Sequence, residues 1–118
     1  MEELEKQVMA AILAGNDPRL PALRLQHAVA QVTERKFSEV GFFTYFRVAP
    51  DVPSAKPDSF ELGHSIHLEI EGVENGAGVV LFIRNGVLDM LEGFTYTATW
   101  PRSPVLRNLI IVPERQKS

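Results

Sequence analysis

The chain has 118 residues, 12 Lys plus Arg against 15 Asp plus Glu, and no cysteine. The length fits one domain, residues 1–118, and 45% hydrophobic content excludes a disordered tail. The absent cysteines exclude disulfides, thiolate metal centres and cysteine nucleophiles, and a net charge of −3 gives no electrostatic footprint for nucleic acid.

Met1–Gly15 lacks the basic opening of a secretory leader, and no apolar run approaches the roughly 18 residues of a membrane span. The expectation is a cytoplasmic protein with no membrane contact. Leu4, Val8, Ala11 and Ile12 recur at helical spacing behind acidic residues that suit a helix N-terminus, and Gly15 with Asn16-Asp17-Pro18 stops the helix. A second helix begins between Asp17 and Pro21 with Leu20, Leu23 and Ala28 as its stripe. Its end is ambiguous, because Ala28–Lys36 also alternates as a strand would.

The period then changes to two. Gly41–Val48 is aromatic and β-rich, and the segment before it is close enough to form a hairpin. Ala49–Ser59, with Pro50, Pro53 and Pro57, reads as a long loop. Phe60, Leu62, His64, Ile66, Leu68 and Ile70 alternate with Glu61, Ser65, His67, Glu69 and Glu71, the pattern of one strand with a dry and a wet side. Ala77–Ile83 is apolar on both sides, Asn85-Gly86 signals a two-residue type I′ turn, and Val87–Tyr96 returns as its partner. Trp100-Pro101 and Pro104 mark a loop before a last strand, Leu106–Val112, and a charged tail, Glu114–Ser118. Two helices followed by strands on short turns predict an α+β domain: two N-terminal helices packed on one face of a five- to six-stranded, mainly antiparallel sheet.

Within this order, Gly76-Ala77-Gly78, Val80-Leu81-Phe82, Arg84, Gly86, Leu88-Asp89, Leu91-Glu92-Gly93, Thr95-Tyr96 and Trp100-Pro101 resemble a family of small bacterial proteins of uncharacterised function, with Gly41-Phe42-Phe43-Thr44 as an upstream block. The resemblance implies a bacterial cytoplasmic setting and supplies no catalytic residues.

Five residues are candidates for a binding site. Asp89 and Glu92 interrupt an apolar strand, and a spacing of three sets them on opposite faces, which excludes an acid–base pair. Asp89 is expected beside the hairpin turn with an arginine. Glu92 shares its face with apolar neighbours, so it must pair, with Arg84 or Arg47, or reach solvent. His64 falls on the apolar face, as a core or ligand-site histidine, while H-x2-H on a strand points His64 and His67 apart and defeats metal chelation. Tyr96 and Trp100 are loop-borne rings of the kind enriched at binding sites, with Trp100 alternatively capping the core. Gly72–Gly78 has no phosphate-loop lysine and reads as a turn, no serine sits in a nucleophile elbow, and no metal or cofactor is expected.

Apolar residues nevertheless occupy both sheet faces: Val79, Leu81 and Ile83 against Val80 and Phe82, Phe42 and Phe46 against Phe43 and Tyr45, and Leu109 and Ile111 against Ile110 and Val112. Two helices cover one face only. The first reading is a non-enzymatic interaction domain whose second face meets a protein partner or a second copy. The other is a small-molecule or hydrolytic site built on Glu92 and His64 with Tyr96.

Overall fold

A computed structural model describes residues 2–56 and 58–112, so the charged tail at Glu114–Ser118 lies outside the described residues. Helices α1 (Glu3–Ile12) and α2 (Leu20–Val29) precede strands β1 (Gln31–Ser38), β2 (Gly41–Arg47), β3 (Phe60–Leu62), β4 (Ile66–Ile70), β5 (Ala77–Arg84), β6 (Val87–Thr95) and β7 (Leu106–Ile111). The class is α+β with an antiparallel sheet, and seven strands replace the five or six expected. Their order is β1-β2-β6-β5-β4-β7, with β3 also on β5. Among the described residues no helix is long and apolar enough to cross a membrane.

The extra strand comes from Gly63. The alternation expected to run unbroken from Phe60 to Ile70 breaks there at φ +100°, a conformation that a side chain resists. β3 pairs with Leu81–Ile83 of β5 and β4 with Ala77 and Gly78, and the register slips by two residues between them. An even slip preserves which face each side chain meets, so Ile66, Leu68 and Ile70 stay on the side of Phe60 and Leu62. The ambiguity after α2 resolves at Ala30: the helix stops at Val29 and the strand starts at Gln31.

All the core lies on one side of the sheet. Val8, Met9, Ile12, Leu20 and Leu23 from the helices pack on Phe42, Phe46, Leu68, Val79, Leu81 and Leu91. The result is a slab with Cα extents of 42 × 41 × 19 Å, thin enough for one sheet and one helix layer. The link between the helices is fixed by Asp17, which accepts the Arg19 backbone N–H at 2.9 Å and its guanidinium at 2.6 Å. Arg19 in turn lies 4.3 Å over the Phe60 ring. That arginine holds the Asp17 carboxyl at about 2.

Two polar side chains sit inside the apolar layer. Gln26 is 0% exposed, one helical turn beyond Leu23. Its amide donates to Pro53 O at 2.8 Å and Gly86 O at 2.9 Å, and its carbonyl accepts the Leu88 N–H at 2.8 Å. It thereby ties α2 to the long loop and to the β5–β6 hairpin. The loop is further held by the Ala55 N–H on Gly86 O at 2.8 Å and the Asn85 N–H on Ser59 Oγ at 3.1 Å. Asn85 and Gly86 have φ of 53° and 76°, the type I′ geometry that their sequence signals.

Glu5, 3% exposed, faces Arg35 on β1 in a bidentate pair with distances of 2.7 and 2.9 Å. It also accepts the Thr44 hydroxyl and, at 2.9 Å, the Glu2 N–H. Burial pushes this carboxyl up, and the hydrogen bonds from Arg35, Thr44 and Glu2 more than offset that, leaving it below its ordinary value of 4.5.

Two measurements check these clamps. Gln26→Ala leaves the buried Leu88 N–H and the Pro53 carbonyl without their partner and the Gly86 carbonyl with the Ala55 N–H alone, so denaturant unfolding is expected to show a loss of about 1–3 kcal/mol; a loss below about 0.5 kcal/mol refutes the clamp. Because the folded-state value of Glu5 is depressed, its stabilising contribution is complete above the unfolded value near 4.5 and is lost as pH falls through the folded one. Glu5→Gln is therefore expected to flatten the acid limb of stability against pH, and an unchanged limb would show that Glu5 does not drive it.

Candidate functional site

The sheet face away from the helices is bare. Register lays three rows across it. The first runs Glu34, Tyr45, Met90, Phe82, Glu61. The second runs Lys36, Phe43, Glu92, Val80. The third runs Gly41, Phe94, Gly78, His67, Ile110. Phe43, Tyr45, Phe82, Met90 and Phe94 are half-buried, and none packs on the helix-side core. Val80, 8% exposed, is the only buried apolar side chain outside that core among the described residues.

Glu92 stands near the middle, flanked across the ladder by Phe43 and Val80. The arginine partners expected for it are engaged elsewhere: Arg84 lies 3.8 Å from Asp89, and Arg47 donates to Gln31 at 3.3 Å. Glu92 forms no ion pair among the described residues, so it meets its desolvation by remaining half in water.

The other candidates separate. His64 is not on an apolar face: the bend at Gly63 turns it out, its side chain is 63% exposed, and it bonds Glu61 Oε1 at 3.0 Å. It lines a cleft with Asp17, Arg19 and Ser65. Asp89 is the extra residue of a β-bulge, since Phe82 faces Met90 while Ile83 faces Leu88. That bulge interrupts the strict alternation used to place Asp89 and Glu92 on opposite faces. Asp89 lines a shallow cleft with Arg84, Glu61 and Phe60. Trp100 turns to the helix side, its ring 5.0 Å from Phe42 and its backbone N–H donating to Glu39 O at 2.8 Å, so it caps the core. Glu92 and His64 thus occupy different surroundings.

Tyr96, 55% exposed, belongs to a ring cluster that its sequence neighbours do not reveal. It stacks on His67 with centroids 6.3 Å apart at 9° and meets Phe94 edge-on at 5.6 Å and 90°. Gly76 and Gly78 make the room. A Cβ at Gly78 would lie 2.7 Å from Phe94 Cζ and from Tyr96 Oη, and one at Gly76 would lie 2.6 Å from the His67 ring. Gly78 is therefore a strand residue under two rings and not part of the turn expected to run to it. The signal was the register of Gly-x-Gly against Phe-x-Tyr on adjacent strands, which needs the pairing to be known.

Among the described residues no group of three or more His, Asp or Glu side chains is placed to hold a metal ion. No protein-family model, curated protein or solved structure matches the chain.

Gly78→Ala is expected to lift the rings at a cost of about 1–3 kcal/mol. The upfield ring-current shift of the His67 protons, read by NMR, should then collapse; if that shift persists, the stack does not depend on the glycine.

Proposed function

We propose that the chain is a non-enzymatic interaction domain that takes a protein partner on the bare sheet face. The observation carrying this reading is the group Phe43, Tyr45, Phe82, Met90 and Phe94, half-buried around a half-solvated Glu92 with no helix over them. Apolar surface in one contiguous patch with a polar rim is the ordinary anatomy of a recognition surface. The charges of the patch favour a cationic partner. Glu34, Glu61 and Glu92 outnumber Lys36 along the two rows that hold most of the rings. Stacking two such faces about an axis near their centre would bring the Glu92 carboxylates together. The better occupant is a different chain with apolar residues and a lysine or arginine to seat over Glu92. A bacterial cytoplasmic setting belongs to the same proposal, resting on the family resemblance.

The competing reading, a hydrolytic or small-molecule site, has no comparable support, because Glu92 and His64 do not line one cleft.

Peptides selected from a random library on the intact protein test the proposal. They are expected to be rich in apolar residues with Arg or Lys, and to weaken about tenfold or more on Tyr45→Glu with Phe82→Glu. Leu25→Glu, on the outer side of α2, should leave them unchanged. Binders indifferent to the double substitution would sink the proposal.

A further inference from the structure

The two ends of the sheet are built differently. At one end, β1 carries Thr33, Glu34, Arg35 and Lys36 and an irregularity between Val32 and Glu34. Charges and a bulge are the usual means by which an edge strand is kept from pairing. At the other end, β7 reads Leu106-Arg107-Asn108-Leu109-Ile110-Ile111, and no strand among the described residues pairs with its outer side. Val105, Ile110, Ile111 and Val112 are all exposed, Ile111 by 57%.

The backbone of β7 says which groups are unused. The Val112 N–H donates to Ser65 O at 2.7 Å, on the β4 side. Antiparallel ladders alternate, so Ile110 and Asn108 also direct their N–H and C=O toward β4, while Leu109 and Ile111 direct theirs outward. β7 has its own irregularity, at Arg107 between the pairs Glu69–Asn108 and Ile70–Leu106; beyond it the outward groups of Leu109 and Ile111 are flanked by apolar side chains with no charge among them.

We propose that β7 pairs with β7 of a second copy of this chain, antiparallel about a two-fold axis at Ile110, joining two sheets into one. This goes beyond the partner-binding reading and uses the edge of the sheet, where Ile110 ends the third row of the bare face. In that register Leu109 of one copy lies opposite Ile111 of the other, and the outward N–H and C=O groups of both residues find partners. The two Ile110 side chains meet as a non-hydrogen-bonded pair. Arg107 has neither its own counterpart nor an isoleucine opposite it. Self-pairing about an axis also closes after two copies, whereas pairing β7 with the guarded β1 edge would propagate into a fibre. A single strand pair is a small interface, so the dimer is expected to be weak, with a dissociation constant of roughly 1–100 micromolar.

The absence of cysteine makes a direct test available. Non-hydrogen-bonded antiparallel pairs hold their Cα atoms about 4.5 Å apart, within disulfide range. Under mild oxidation Ile110→Cys is expected to give a covalent dimer, at protein concentrations where Val40→Cys, exposed near the β1–β2 turn, stays monomeric. In sedimentation velocity the wild-type chain should show a concentration-dependent dimer, which Ile110→Lys and Ile111→Pro abolish with circular dichroism unchanged. Should either variant unfold, the Ile110→Cys result decides alone. A wild-type chain that stays monomeric to several hundred micromolar overturns the proposal. So does a dimer that survives both edge variants, or one abolished by Tyr45→Glu with Phe82→Glu instead; the last would also redirect the partner-face reading toward self-association.

Discussion

Two helices of ten residues each must cover a sheet of seven strands. A helix of that length is about 15 Å long, so the pair can roof only one side of a slab whose longer extents are 42 and 41 Å. That shortage of cover shapes everything else. The helix-side face receives the ordinary aliphatic core, Leu68, Leu81 and Leu91 under Val8, Met9 and Leu23. The other face must protect its backbone with its own side chains, and it does so with large rings that lie down over small residues. Phe94 and Tyr96 lean over Gly78, filling space that a β-branched residue on β5 would otherwise fill.

Hydrophobic burial is not directional, and so short a helix could slide on a flat aliphatic surface without much penalty. Gln26 and Glu5 remove that freedom. Each reaches from a helix to groups whose positions are set by the sheet: Gln26 to the Gly86 carbonyl and the Leu88 N–H, Glu5 to Arg35 and Thr44. A shift of one residue would leave buried polar groups without partners, a penalty larger than the packing difference between neighbouring registers. Arg24 adds a third tie, donating to the Leu13 carbonyl at 2.6 Å where α1 ends. Specificity here comes from a few polar bonds placed inside an apolar layer.

Local chemistry was what the sequence displayed best. Gly15 and Pro18 separating two helices, Asn85-Gly86 as a hairpin turn, and apolar residues on both faces of β5 follow from short-range preferences that tertiary contacts did not override. The failures came where one residue changes the backbone. Gly63 lay unremarked inside an alternating strand, and its positive φ split that strand and threw His64 into solvent. The bulge at Asp89 was invisible for the same reason: alternation counts residues, and a bulge adds one without a composition signal. Of the candidate site, Glu92 keeps Met90 and Phe94 on its face as alternation implied, whereas the bulge sends Leu88 to the helix-side core and the neighbours across the ladder depended on pairing between β2, β6 and β5. Gln26 was not singled out in the sequence, although a polar residue one turn beyond Leu23 breaks the apolar stripe. Two of its three partners lie 60 and 62 residues away in the chain and leave no local trace.

That separation has a kinetic meaning. The β5–β6 hairpin closes over a two-residue turn and can form early from neighbouring segments. Gln26 can satisfy its amide only once that hairpin exists, because two of its three partners belong to the turn and to the first residues of β6. The helices come first in the chain, yet α2 would be the late arrival in folding. On the ribosome the N-terminal helices emerge with their apolar faces uncovered, and they wait for most of the sheet to be synthesised before they have a surface to close upon.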